Sequence, residues 1–281
     1  MKTVHYGDIV AAVKEMCLKA AFDLPDDVVQ ALKRSVNKER SGLGKSILKS
    51  LVENATIAVE TKAPLCQDTG FAVFFVELGS SVAINGGLLT DAINEGVRLG
   101  YREGYLRASI VDDPVFKRKN TADNTPAIIH LDLTTGDRLR LMLLPKGGGC
   151  ENMSAIAMLK PSDGMQGVVE YVVQTAVNAG PNPCPPTIIG VGIGGTADMA
   201  MMLAKKALLR PLHGSHPDSQ YAKMEKTMLD TINASGVGPQ GMGGGITTLA
   251  VHIETFPCHI ASLPVAVNFN CHAARFSERI L

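Results

Sequence analysis

The chain has 281 residues, 46% hydrophobic and 19% charged, enough to bury a sizeable core as one large domain or two small ones. Lys plus Arg equals Asp plus Glu at 27 each, so no global field favours nucleic acid or an acidic membrane surface. The N-terminus lacks the regions of a signal peptide and no 18-residue apolar run occurs, so a cytoplasmic protein without a membrane span is expected.

Six cysteines without export signals argue against a disulfide framework and for core, metal or catalytic roles. No C-x-x-C occurs, which disfavours a zinc ribbon or a thioredoxin-type site.

In chain order, the first 62 residues read as helical. Ile9, Val10, Val13, Cys17 and Ala20 keep helical spacing, Pro25 opens a second helix to about Lys38, and a third follows Gly44. Cys17 fits the apolar stripe and reads as a core residue. Pro64 stops the third helix, and Leu65-Cys66-Gln67-Asp68-Thr69-Gly70 turns into a strand from Phe71 to Glu77. A helix over Leu88 to about Gly104 leads to Arg107, which Asp112 and Asp113 could tie down. Its guanidinium fork suits a carboxylate better than any other side chain does.

Ala127 to Thr134 and Arg138 to Leu144 flank Thr-Gly-Asp and predict a β-hairpin, with His130 structural. The hairpin ends at Lys146-Gly147-Gly148-Gly149-Cys150, where successive glycines could form a nest of N–H groups for an anion. Gly164 to Ala179 predicts a further helix.

Around Cys184 three prolines fix φ and remove donors, so its thiol sits on a stiff turn. Thr187 to Ile193 then reads as a buried strand, Gly194 and Gly195 as a turn, and Thr196 as the cap of a helix to about Leu209. Gly190, Gly192 and Gly195 satisfy G-x-G-x-x-G, which alone would support a dinucleotide-dependent oxidoreductase. The acidic residue expected about 20 positions on would be Asp218, in a loop rather than at a strand end, so the signal is weak. His213 and His216 are denied a helix by Gly214 and Pro217 and do not read as metal ligands.

A helix over about Ser219 to Asn233, a glycine-rich loop over Gly236 to Gly245 and a strand over Ile246 to Ile253 follow. A last strand to Phe269 brings the chain to Cys271, where we expect strand to give way to helix. These elements predict an α+β (mixed) fold, one domain over 1–281, helical over about 1–62 with mixed sheets and packed helices thereafter.

Cys66, Cys184 and Cys271 share a context: each occupies a Pro-, Gly- or Asn-marked junction beside polar residues. The segments around them are Cys-Gln-Asp-Thr-Gly, Leu-Arg-Ala-Ser-Ile-Val-Asp-Asp-Pro with Asp-Asn-Thr-Pro, Lys-Gly-Gly-Gly-Cys-Glu-Asn, Asn-Pro-Cys-Pro-Pro with Gly-Ile-Gly-Gly, and Val-Asn-Phe-Asn-Cys-His-Ala-Ala-Arg. In that order they resemble the α subunit of class I fumarase and L-tartrate dehydratase, the iron–sulfur hydro-lyases, over essentially the whole chain.

The resemblance implies a [4Fe–4S] cluster held by Cys66, Cys184 and Cys271, with one iron left open as a Lewis acid. It implies substrate contacts from Gln67, Asp68, Arg107 and Gly149, with His259 orienting Asp68; we take Asp68 and His259 as the catalytic candidates. Arg107 and the Gly148–Gly149 backbone are the candidates for stabilising charge on a substrate carboxylate. Single-chain members of the family carry a second domain after this point. A separate β subunit is therefore expected, in an α2β2 assembly with homodimerised α chains. The implied reaction is reversible hydration of fumarate to (S)-malate, with dehydration of L-tartrate to oxaloacetate as the alternative.

Overall fold

The computed structural model describes residues 1–281. In chain order its elements begin with β1 (Lys2–His5), α1 (Tyr6–Phe22), α2 (Asp26–Lys38), α3 (Gly42–Thr61), β2 (Phe71–Gly79), β3 (Val82–Asn85) and α4 (Leu89–Glu103). Next come β4 (Ile128–Thr134), β5 (Leu139–Lys146), α5 (Gly148–Glu151), β6 (Ala155–Leu159), α6 (Gly164–Ala179), β7 (Thr187–Gly194) and α7 (Ala197–Ala207). The last are α8 (Ser219–Ala234), β8 (Thr248–Phe256), β9 (Leu263–Asn270) and β10 (Ser277–Ile280). Helices packed on mixed sheets make this an α+β fold, as expected. No helix is long and apolar enough to cross a membrane.

The chain divides into two compact units. The first comprises Met1–Leu24, Ala55–Gly148 and Arg275–Leu281. Its sheet has the order β10-β5-β2-β4, with β2 antiparallel to β5 and parallel to β4. One face of that sheet, including Ala72, Phe74, Val76, Leu139, Leu141 and Leu143, is buried with Ile9, Val13, Ile93 and Val97 of α1 and α4. The two helices approach closely because Gly96 and Gly100 leave room. A Cβ on Gly96 would lie 2.5 Å from Cβ of Val13, and one on Gly100 2.8 Å from Cβ of Cys17. Cys17 is sealed in this core, as its place on the helical stripe predicts.

Two expectations are corrected here. Helix is not the first element, because Lys2–His5 pairs in parallel with Val82–Asn85. Nor do β4 and β5 form a hairpin: β2 lies between them. The reason is non-local. Ala72 to Val76 are buried and need a partner on each edge, and the chain around Gly136 bonds the end of β2 through Gly79 N–H to Arg138 O and Ser80 N–H to Thr134 O.

The second unit comprises Pro25–Asn54 and Gly149–Ala274. Its sheet has the order β6-β9-β7-β8. Strand alternation divides its two faces. Ile189, Val191 and Ile193 are buried with Val168, Val172, Met224, Met228 and Ile232 of α6 and α8. Gly190 and Gly192 face α7 instead: a Cβ on either would come within 2.0 Å of the carbonyl oxygen of Ala204 or Ala200. These glycines therefore serve helix-on-strand packing, which accounts for the dinucleotide-like pattern without a nucleotide. Thr196 stands at the N-cap of α7, but its hydroxyl bonds the Asp198 carboxylate and caps no backbone N–H.

Candidate functional site

The sequence-predicted residues fall in both units. Cys66, Gln67, Asp68, Arg107 and Gly148 belong to the first; Gly149, Cys184, His259 and Cys271 belong to the second. Within neither unit do three His, Cys, Asp or Glu side chains gather into a cage for a single metal ion.

In the first unit, Leu65 N–H bonds Ala21 O of α1 and so pins the start of the Cys66–Gly70 loop to that helix. Asp68 organises that loop. Its Oδ1 accepts from Gly70 N–H at 3.0 Å, its Oδ2 accepts from Gly148 N–H at 2.7 Å, and its carbonyl accepts from Nη1 of Arg275 at 2.7 Å. The anion that meets the glycine nest is thus the chain's own carboxylate. Gly70 is required at its position, with φ +87° and a would-be Cβ only 3.0 Å from the backbone nitrogen of Lys146. The buried Tyr101 hydroxyl reaches the carbonyls of Thr69 and Gly70, and Asn124 Nδ2 also reaches Gly70 O. Burial pushes the Tyr101 phenol up, so it stays protonated and a donor.

The same loop fixes the segment that carries Arg107. Thr69 Oγ1 donates to Arg107 O at 2.9 Å, and Asn124 Oδ1 accepts from Ser109 N–H. Arg107 is exposed, and the expectation that Asp112 and Asp113 tie it down is not met. Asp113 instead accepts from the backbone of Val115, Phe116 and Lys117, which holds its carboxyl below the usual range and closes a local turn.

In the second unit, Cys184 sits at φ +54°, exposed, with its N–H on Pro181 O. The Pro181–Pro186 turn is held from several sides. Cys150 Sγ contacts Pro183 O, Gln240 donates from backbone and side chain to Pro185 O, and His272 N–H bonds Cys184 O at 3.4 Å. That last bond brings the backbone beside Cys271 to the Cys184 turn. Cys271 is half-buried at the end of β9, and the helix expected after it does not form: the chain bends and enters β10, whose Ser277–Ile280 pairs with β5.

His259 lies exposed on the β8–β9 loop. Its Nδ1 accepts from Ala261 N–H at 3.1 Å, so the neutral ring carries its proton on Nε2. A cavity of about 400 Å³ beside it is mainly apolar, lined among others by Met165, Val168, Ile193, Tyr221 and Met224.

Sequence reasoning gave no role to Arg275, Tyr101 or Asn124. Arg275 is 3% exposed, bonds one carbonyl, and leaves Nε without a partner. The available signal was its place at the end of Cys-His-Ala-Ala-Arg, a cation among small residues.

The sequence matches the model of the fumarate hydratase (fumerase) family over residues 10–279. The chain is 44% identical over 268 residues to a protein of Methanocaldococcus jannaschii that is named, provisionally, L(+)-tartrate dehydratase subunit alpha; the match covers 94% of each chain. It is 34% identical over 254 residues to L(+)-tartrate dehydratase subunit alpha of Escherichia coli strain K12, covering 90% of this chain and 84% of that one. A carbon–oxygen hydro-lyase is the activity these relationships support. With its model spanning nearly the whole sequence, the chain belongs to the fumarate hydratase family.

Proposed function

We propose that this chain is the α subunit of an iron–sulfur hydro-lyase that dehydrates L(+)-tartrate to oxaloacetate, with its site completed by a β subunit. The observation that carries the substrate is the pair of relatives, 44% and 34% identical, both named for tartrate dehydratase and both alpha subunits. That reverses the order of the sequence reading, in which fumarate stood first.

Cys66, Cys184 and Cys271 fit a [4Fe–4S] cluster in donor chemistry and exposure. Each is exposed or half-buried in a junction, whereas burial pushes the Cys17 thiol up to about 12 and makes it inert. When bound, the cluster supplies a Lewis-acidic iron for the substrate hydroxyl.

The remaining work belongs to the chain's own groups and to the partner. Dehydrating tartrate removes a proton from a carbon beside a carboxylate and a hydroxyl from its neighbour, leaving an enol that becomes oxaloacetate. Arg107 presents a guanidinium that can take one substrate carboxylate through two parallel bonds. Gly149 N–H and Gln67 add neutral donors at the same substrate, stabilising charge as it builds. Asp68, both oxygens of which are held by N–H groups, is a carboxylate fixed in place to accept a hydrogen bond from a substrate hydroxyl and so orient it. His259 offers Nε2–H as a donor, and the base that removes the carbon-bound proton comes from the β subunit.

The test is a side-by-side assay of the anaerobically reconstituted complex with L(+)-tartrate and (S)-malate. We expect the larger kcat/KM with tartrate. A larger value with malate would return the assignment to fumarate.

A further inference from the structure

We propose, on the reading that Gly149 N–H meets a substrate carboxylate, that Lys205 is a positioning residue that fixes α5 through the Glu151 carboxylate. Lys205 lies on α7, outside every motif that marks the cysteines.

α5 is four residues long, too short to hold its own place. It lies against the Pro181–Pro186 turn: a Cβ on Gly149 would stand 3.2 Å from Asn182 O, and Cys150 Sγ is 3.5 Å from Pro183 O. Its end is closed by Met153 N–H to Cys150 O at 3.2 Å and Ser154 N–H to Glu151 O at 3.1 Å. Two further side chains then take hold of Glu151. Lys205 Nζ donates to Oε1 at 2.5 Å, and Asn268 of β9 donates from Nδ2 to Oε2 at 3.2 Å and to Ser154 Oγ at 2.7 Å. Each carboxylate oxygen has its own donor, so the orientation of Glu151 is set as well as its position.

Asn268 is fully buried, and its Oδ1 has no partner. A leucine there would leave no orphaned oxygen, so the fold keeps this amide for what its Nδ2 donates to. The opposite amide orientation would set Oδ1 against the Glu151 carboxylate, two acceptors with no proton between them. Asn268 also precedes Cys271 by three residues, so one strand both grips α5 and leads into the junction that carries the thiol. Lys205 follows Ala204, which is buried with Ala200 and Ala266, and only 17% of the lysine side chain is exposed. A charge this covered is kept where a pair satisfies it.

In the anaerobically reconstituted complex, Lys205→Met should raise KM for L(+)-tartrate about tenfold and lower kcat much less, because a carboxylate contact is made before and during the reaction. A site that was merely destabilised would lose kcat at unchanged KM, since fewer molecules would be active. Lys205→Arg keeps a cation in reach of Glu151 and should bring KM back to within about threefold of the wild-type value. Hydrogen exchange on the isolated full chain reads the anchor without substrate. There, Lys205→Met should speed exchange of the Met153 and Ser154 N–H groups about tenfold and leave the amides of α6 unchanged. Unaltered KM, a loss confined to kcat, or unaltered exchange at those two amides each overturns the proposal, as does a Lys205→Arg chain no better than Lys205→Met. A wild-type complex that turns over neither tartrate nor malate would instead unseat the hydro-lyase reading, and the exchange measurement then decides the anchor alone. Should Lys205→Met fail to fold, Glu151→Gln, which removes the charge and keeps the size, takes its place and should show the same rise in KM and in exchange.

Discussion

At the scale of single residues, His252 and Arg275 are both buried with ring or guanidinium nitrogens that have no partner. His252 is 2% exposed on β8, neither ring nitrogen has a partner, and burial with the Arg210 cation lowers it to about 4 against the opposing pull of Glu225 and Asp27. Its folded value lies below the unfolded one near 6.5, so the unfolded chain takes the proton first. The associated stability is fully present above pH 6.5 and is lost as the pH falls towards 4, by about 3 kcal/mol in all. Urea midpoints at pH 7.5 and pH 5 should therefore differ strongly, and His252→Phe should narrow that difference. An unchanged difference would place the acid sensitivity elsewhere. Arg275 is buried with one bond to the Asp68 carbonyl. Arg275→Met should release the loop and lower kcat by roughly ten- to a hundredfold, since small misplacements of a reacting group are costly. Arg275→Lys should restore part of it; an unaltered kcat in Arg275→Met would show that Asp68 needs no such support.

At the scale of elements, the loop that joins α8 to β8 is held by a carboxylate from α2's far end. Glu39 is 2% exposed and accepts from Arg40, Ser41, Gly245 and Ile246 N–H groups. Burial alone would raise its carboxyl, but the bonds from Ser41, Gly245, Arg40 and Ile246 together outweigh it and hold it low. Glu39→Gln puts an amide where four donors converge and should cost about 2 kcal/mol in denaturant melts. Gly244→Ala should cost a similar amount or more, because its Cβ would lie 2.7 Å from Glu39 Oε2 at φ +133°. Neither contact could be read in advance: the glycine-rich loop was legible, but its occupant lies about two hundred residues away. Local signals served better. Pro25, the periodicity of α4 and α6, and the Thr187–Gly195 run all gave elements close to their observed bounds. The supposed β4–β5 hairpin failed because β2 competes for both strands, and pairing competition of that kind leaves no local trace. Likewise the motif residues Cys66, Asp68 and Arg107 stood out by type, while Tyr101, Asn124 and Arg275 hold that loop through backbone carbonyls and resemble ordinary core polar groups.

At the scale of the whole molecule, the groups that this chain offers a dicarboxylate are unevenly supplied. Arg107 provides one guanidinium, Asp68 one fixed carboxylate whose two oxygens already accept N–H bonds, and the relatives are alpha subunits by name. A substrate with two carboxylates, which must also lose a carbon-bound proton, needs a second cation and a base. If the β subunit brings them, binding and turnover should separate in the isolated chain. Purified anaerobically, it should contain iron and sulfide, and Cys184→Ser should reduce both, yet its turnover of L(+)-tartrate should be negligible. Adding the β subunit should restore turnover without changing the iron content. Arg107→Lys in the reconstituted complex should then raise KM more than it lowers kcat, because an ammonium cannot reproduce the two parallel bonds of a guanidinium. Full turnover by the isolated chain would mean that a single subunit holds every group the reaction needs, and the division of labour proposed here would fall with it.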